Sequence, residues 1–272
     1  MIMFKTRLLS GAVLIVLALI FIINGGYLLL TVLGIISIIG MYELYKVFKV
    51  EKTIGIAGYI AAALFYLNLA FSFLPDVMVL IMGFLIVCMC MFVFGYPRFH
   101  ATQVIGVFFG FFYVAVMLSC IYLTRSLAGG TYLVWLIFLC SWGCDTSAYC
   151  FGMLFGKHKM SPKLSPKKSV EGAVGGVAGA FVLTLIYGFI FKNGMDADIS
   201  YILMMGVICA AGALISMVGD LAASAIKRNY DIKDYGKLIP GHGGILDRFD
   251  SVIFTAPIIY YLSLYLIPMV QV

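Results

Sequence analysis

Nine runs of about 20 mostly apolar residues fill this 272-residue chain, at roughly 7–24, 27–45, 54–73, 77–95, 102–123, 131–155, 170–191, 200–222 and 250–270. Wound as an α-helix, a run of that length matches the hydrocarbon thickness of a bilayer. Apolar residues make up 64% of the chain and charged ones 11%, with a mean hydropathy of +1.11, which excludes an ordinary soluble domain. Inside hydrocarbon every backbone N–H and C=O has to be satisfied within its own segment, and the alternating pattern of a barrel strand is absent from the sequence. The expected fold is all-α: a polytopic integral membrane protein with about nine transmembrane helices. It forms a single membrane domain over 1–272, with helices in 1–130 as a packing scaffold and 131–272 as the half that carries the chemistry. The first run lacks a small-x-small cleavage site before Asn24-Gly25-Gly26, so it reads as a retained anchor.

Charge sets the expected orientation. With the N-terminus in the cytoplasm, only Arg125 and Lys192 of the 18 lysines and arginines fall outside, leaving sixteen inside. The same threading puts the C-terminus outside. The formal charge of +6 is then gathered on one face, where anionic headgroups or polyanionic substrates would meet it. The seven cysteines lie in apolar runs without a CxxC pair and read as small buried hydrophobes.

Two longer cytoplasmic connections stand out, 156–169 and 226–249. The first, GKHKMSPKLSPKKS, carries five lysines and two prolines; prolines fix turns that a mere topology signal does not need. The second ends in KLIPGHGGILDRFDS, residues 237–251, a polar glycine-rich stretch just ahead of the last apolar run. Inside the runs, charge is rare. A mid-helix aspartate costs about 3 kcal/mol on insertion scales, so Asp145 and Asp220 need a wet or protein-lined setting. Ser141, Asp145 and Tyr149 follow at helical spacing, as do Ser216, Asp220, Ser224 and Lys227, so each series is expected on one face. A structural ion pair or helix–helix hydrogen bond is the competing reading of both aspartates. Asp247 and Asp250 open the ninth run. Helix-dipole compensation explains one of them but neither the second nor the preceding glycines. Glu171 reads either as a local cap or as a ligand-binding residue. Gly152 to Lys157 imitates a P-loop but has three residues between its glycines and His158 where Ser or Thr belongs. The Gly106/Gly110, Gly172/Gly176 and Gly175/Gly179 spacings read as close helix packing.

Carboxylate oxygens without His or Cys partners suit hard cations, Mg²⁺ above all, with a second cation left open. Acids that hold metal, ringed by Lys167, Lys168, Lys227, Arg228, Lys237 and Arg248, describe a site for phosphates, where the work is charge neutralisation and alignment. In that reading Asp220 and Asp247 ligate metal, with Asp250 and Asp145 beside them. The turn of His242, Gly243 and Gly244 and the Lys167/Lys168 pair hold a polyphosphate, while Lys227, Arg228 and Arg248 meet the reacting phosphates. Ser169, Glu171, Ser224 and Lys237 complete the expected substrate contacts.

The segment SAIKRNYDIKDYGKLIPGHGGILDRFD, residues 224–250, resembles the signature of the phosphatidate cytidylyltransferase (CDP-diacylglycerol synthase) family. Ser224, Lys227, Arg228, Lys233, Asp234, Gly236, Ile239, Pro240, His242, Gly243, Gly244, Asp247, Arg248 and Asp250 fill its pattern. DTSAYCFGMLFGKHKMSPKLSPKKSVEG, residues 145–172, resembles the family's second block, whereas the first 130 residues share only size, span number and hydropathy. The resemblance implies a Mg²⁺-dependent reaction of CTP with phosphatidate, giving CDP-diacylglycerol and pyrophosphate for phospholipid biosynthesis. It implies a multi-pass protein of the inner (plasma) membrane with its active site facing the cytoplasm. Membrane lipids, CTP and phosphatidate are the expected partners, without nucleic acid. A homodimer is implied by the likeness and by the GxxxG faces. Two rivals stay open: the same chemistry on another lipid phosphate, and an ion-coupled secondary transporter, which would also carry intramembrane acids.

Overall fold

The computed structural model describes residues 2–241 and 243–266, with side chains from residue 11 onward except those of residues 12 and 266. It is almost entirely helical. In chain order the helices are α1 (Ile2–Asn24), α2 (Gly26–Phe48), α3 (Gly55–Phe71), α4 (Val77–Phe94), α5 (Ala101–Gly110), α6 (Met117–Arg125), α7 (Gly130–Phe138) and α8 (Cys144–Phe155), then α9 (Val170–Ile190), α10 (Lys192–Met195), α11 (Ile199–Asn229) and α12 (Leu246–Leu266). A π-helical segment, Phe111–Val116, joins α5 to α6, and another, Leu139–Gly143, joins α7 to α8, so each pair forms one continuous helical stretch. Each apolar run lies in a helix or such a stretch, the last as far as Leu266.

Among the described residues, six stretches are long and apolar enough to cross a membrane: Gly26–Phe48, Val77–Phe94, Ala101–Arg125, Gly130–Phe155, Val170–Ile190 and Ile199–Asn229. Val13–Asn24 and Gly55–Phe71 are apolar but shorter. The surface agrees with that solvent. In α4 only Phe84 and Cys88 are buried, while Val79, Met82, Ile86 and Val93 point outward. A helix so exposed is stable against acyl chains and not against water.

The chain forms two compact units, one of Met1–Tyr122 with Asp234–Arg248, the other of Leu123–Lys233 with Phe249–Val272. The core of the first is aromatic. Tyr45, fully buried, donates to the Val107 carbonyl at 2.6 Å, and Phe111 stands edge-on to Phe65 and Phe84. Gly106 and Gly110 leave room for the Phe48 and Tyr45 rings of α2. In the second unit α9 packs on α8 and α11. A Cβ at Gly176 would lie 3.0 Å from the Cys144 sulfur and from the Ala148 Cβ, so the glycine stripe of α9 is what lets α8 approach. Both sets of GxxxG faces are therefore filled within the chain and do not carry the expected homodimer.

Two expected connections are more ordered than the sequence suggests. Residues 156–169 contain a hairpin, β1 (Lys159–Ser161) paired antiparallel with β2 (Ser165–Ser169). α11 continues to Asn229, so the second connection runs over 230–245 rather than 226–249, and Lys227 and Arg228 end a helix, where cations complement the exposed carbonyls.

Candidate active site

In the second unit, acids and cations from four elements converge. Lys168 on β2 makes an ion pair with Asp220 on α11, each side chain a quarter exposed. Ser224, one turn further along α11, donates to the other Asp220 oxygen at 3.5 Å. Asp250 on α12 lies within electrostatic reach of Asp220, Lys227 and Asp145. Its Oδ1 accepts the Ser251 backbone N–H at 2.8 Å, while the Ser251 hydroxyl donates to Asp145 on α8 at 3.5 Å. Fully buried Ser216, one turn before Asp220, has no hydrogen-bond partner for its hydroxyl among the described residues.

The hairpin that delivers Lys168 is tied down at both ends. Ser169 is buried and caps α9, its hydroxyl accepting the Gly172 N–H at 3.1 Å. Glu171 accepts the backbone N–H groups of Lys157 and His158 and pairs with the His158 ring at 2.6 Å. Both residues, expected as substrate contacts, thus hold the hairpin in place. Lys167 and Arg228 are exposed to solvent.

In the first unit the glycine-rich segment closes around two carboxylates. Asp247 is buried, and its Oδ2 accepts the N–H groups of Tyr235 at 2.8 Å and Gly244 at 2.9 Å. Gly243 has φ +88°, and a Cβ there would meet Asp247 Oδ2 at 2.8 Å, so both backbone conformation and space demand glycine. The Ile239 N–H donates to the Gly243 carbonyl at 2.8 Å, closing the turn. Glu43, five residues before the C-terminal end of the apolar helix α2, is 5% exposed and accepts the N–H groups of Ile245 at 3.0 Å and Leu246 at 2.9 Å. Gly236 and Gly244 lie against its carboxylate, where a side chain would have no room. Lys237 and Arg248 are exposed, and His242 lies outside the described residues. Replacing Gly243 by alanine is expected to destabilise the protein by about 2 kcal/mol or more, through the strained backbone and the clash with Asp247. Thermal unfolding of the purified variant checks this.

A model described as the cytidylyltransferase family matches residues 5–266. The chain belongs to this family. Among relatives, the phosphatidate cytidylyltransferase of Staphylococcus saprophyticus is 35% identical over 147 residues, covering 54% of each chain. That of Bacillus subtilis is 38% identical over 121 residues, covering 44% of this chain and 43% of the relative. A Staphylococcus aureus relative of the same name is 35% identical over 147 residues, again 54% of each. The match spans about half the length of these curated relatives.

Within this cytidylyltransferase-family chain, the sequence expectations meet the geometry unevenly. Asp145, Asp220, Asp250, Lys168 and Lys227 share one unit and one electrostatic environment. Asp247, Gly243 and Gly244 form a turn in the other unit. The polar face expected over Ser141, Asp145 and Tyr149 does not form. The π-turn over Leu139–Gly143 breaks the helical progression: Ser141 is buried and donates to the Ile137 carbonyl at 2.7 Å, while Tyr149 is 70% exposed. Sequence reasoning passed over Glu43, which holds the start of α12 beside the glycine-rich turn. The signal was available, because it is the lone acid of an otherwise apolar run.

Among the described residues no three acid, His or Cys side chains stand together as a ready-made metal cage. The donor set still fits Mg²⁺, which is usually held by one or two carboxylates together with substrate phosphates. Asp220 and Asp250 are the acids so placed, with Asp145 near them. Asp247 already commits one oxygen to two backbone donors.

Proposed function

We propose that the protein transfers the cytidylyl group of CTP to phosphatidate, releasing pyrophosphate and leaving CDP-diacylglycerol in the membrane. The observation that carries this reading is the convergence of Lys168, Asp220, Lys227 and Asp250 in a member of the cytidylyltransferase family. A phosphate oxygen of the lipid attacks the α-phosphorus of CTP. The bond from that phosphorus to the bridging oxygen breaks, and pyrophosphate leaves with the electron pair. The attacking phosphate is already ionised near neutral pH, so a Ser–His or Cys–His unit is unnecessary. What the reaction does require is that two polyanions be held together against their repulsion. Lys168 and Lys227 supply positive charge for that purpose, and Arg228 extends it into the cytosol. Mg²⁺ held by Asp220 and Asp250 would offset the charge that builds up on the phosphates. Lys168, paired to Asp220, keeps that carboxylate oriented before substrate arrives.

The same reading places nine spans in the plasma membrane, with the N-terminus and the active site on the cytoplasmic side and the C-terminus outside. Its support is the positive-inside asymmetry of the sequence. A homodimer stays in the proposal through family likeness alone. The test is purified protein in mixed micelles with α-labelled CTP, Mg²⁺ and phosphatidate. Labelled CDP-diacylglycerol and one equivalent of pyrophosphate are expected. Labelled product from polyprenyl phosphate but not from phosphatidate would reassign the lipid, and no product from either would reject the activity.

A further inference from the structure

Between α9 and α11 runs an apolar groove of about 540 Å³ that no step above uses. Its walls are Val170, Val174 and Val177 on α9 and Ala210, Leu214 and Met217 on α11. The two helices lie antiparallel, since Gly188 faces Ile202 and Gly206 faces Phe181. Val170 and Met217 therefore share one end of the groove. That end is the charged one: Lys168 stands two residues before Val170, Asp220 three residues after Met217, and the two form an ion pair. From there the groove follows α9 to Val182, about 18 Å away, close to the ~15 Å of one leaflet's hydrocarbon.

We propose that this groove seats one acyl chain of the lipid phosphate, with the headgroup at the Lys168–Asp220 end. The proposal rests on the function given above and assigns its lipid a track. Size favours a chain over a helix. With carbon contacts near 4 Å, an extended polymethylene chain about 18 Å long fills roughly 300 Å³. A helix of that length, about 10 Å across, would need roughly 1,400 Å³. Hydrophobic energy does not distinguish the groove from the surrounding bilayer, because acyl chains are equally apolar. Its contribution is alignment: a tail held along α9 fixes where the phosphate points, and small displacements of a reacting group are costly in rate.

Ala178 lines the groove about 12 Å from Val170 and is exposed, so a larger side chain there blocks the track without overpacking a core. An extended chain advances about 1.25 Å per carbon, so six carbons stop short of Ala178 and sixteen pass it. The test compares Ala178→Phe with wild type on dipalmitoyl and dihexanoyl phosphatidate in the same detergent. Val79→Phe, exposed on α4, a helix that contributes no residue to the groove lining, serves as the control. In Ala178→Phe, kcat/KM for the long-chain lipid is expected to fall about tenfold, while the short-chain value and both values for the control stay within about twofold of wild type. Equal effects on both lipids, or none, would overturn the proposal. So would a change in oligomeric mass by light scattering, which would show that a second copy covers the groove. Absence of CDP-lipid from wild type with either substrate would instead reject the underlying activity.

Discussion

Asp220→Asn is expected to lower CDP-lipid formation at least about 100-fold while changing stability by about 1 kcal/mol or less. The two effects separate because of where the residue sits. Its partner Lys168 is partly exposed, and ion pairs in contact with solvent contribute little to folding. Asparagine keeps the shape and an oxygen for Ser224, but it removes the negative charge that holds the Lys168 ammonium and that a hard cation would need. Turnover with saturating CTP and phosphatidate, set beside a thermal unfolding curve, measures both quantities on one preparation. Near wild-type turnover would take Asp220 out of the reaction. A large loss of stability would mean that the carboxylate serves the fold instead.

Glu43 gives the opposite pattern. Glu43→Ala is expected to lower the melting temperature by about 5–15 °C and to abolish most activity with it. The buried N–H groups of Ile245 and Leu246 would lose their acceptors, at about 1–3 kcal/mol each. A void would also open against Gly236 and Gly244. Glu43→Gln keeps one acceptor oxygen and should fall between alanine and wild type in both measurements. If the alanine variant unfolds at the wild-type temperature, the carboxylate does not organise the glycine-rich turn.

These two residues also mark how far the sequence could be read. Asp220 was legible because a charge in an apolar run demands a reason and because it shares a helical face with Ser224 and Lys227. α11 is regular there, so the arithmetic of the helix held. Glu43 carried the same local signal, but the groups it serves lie 202 and 203 residues away, and periodicity cannot supply that distance. The apolar runs fixed helix positions well, since in hydrocarbon the backbone has few other choices. They were silent on the β1–β2 hairpin, whose lysines and prolines read equally well as an irregular loop. They were silent too on the roles of Ser169 and Glu171, which became visible only once Gly172 and His158 were in place. Glycine spacing predicted close packing correctly, but nothing in a GxxxG pattern says whether the neighbour belongs to the same chain.

The widened turn at Leu139–Gly143 has an evolutionary consequence. Such a turn amounts to a single residue inserted into an otherwise regular helix. Removing one residue there would rewind the segment and swing Asp145 about 100° around the axis, away from Ser251. Point changes among the apolar neighbours would leave that aim intact. This short stretch should therefore accept varied side chains over generations while admitting almost no change in length.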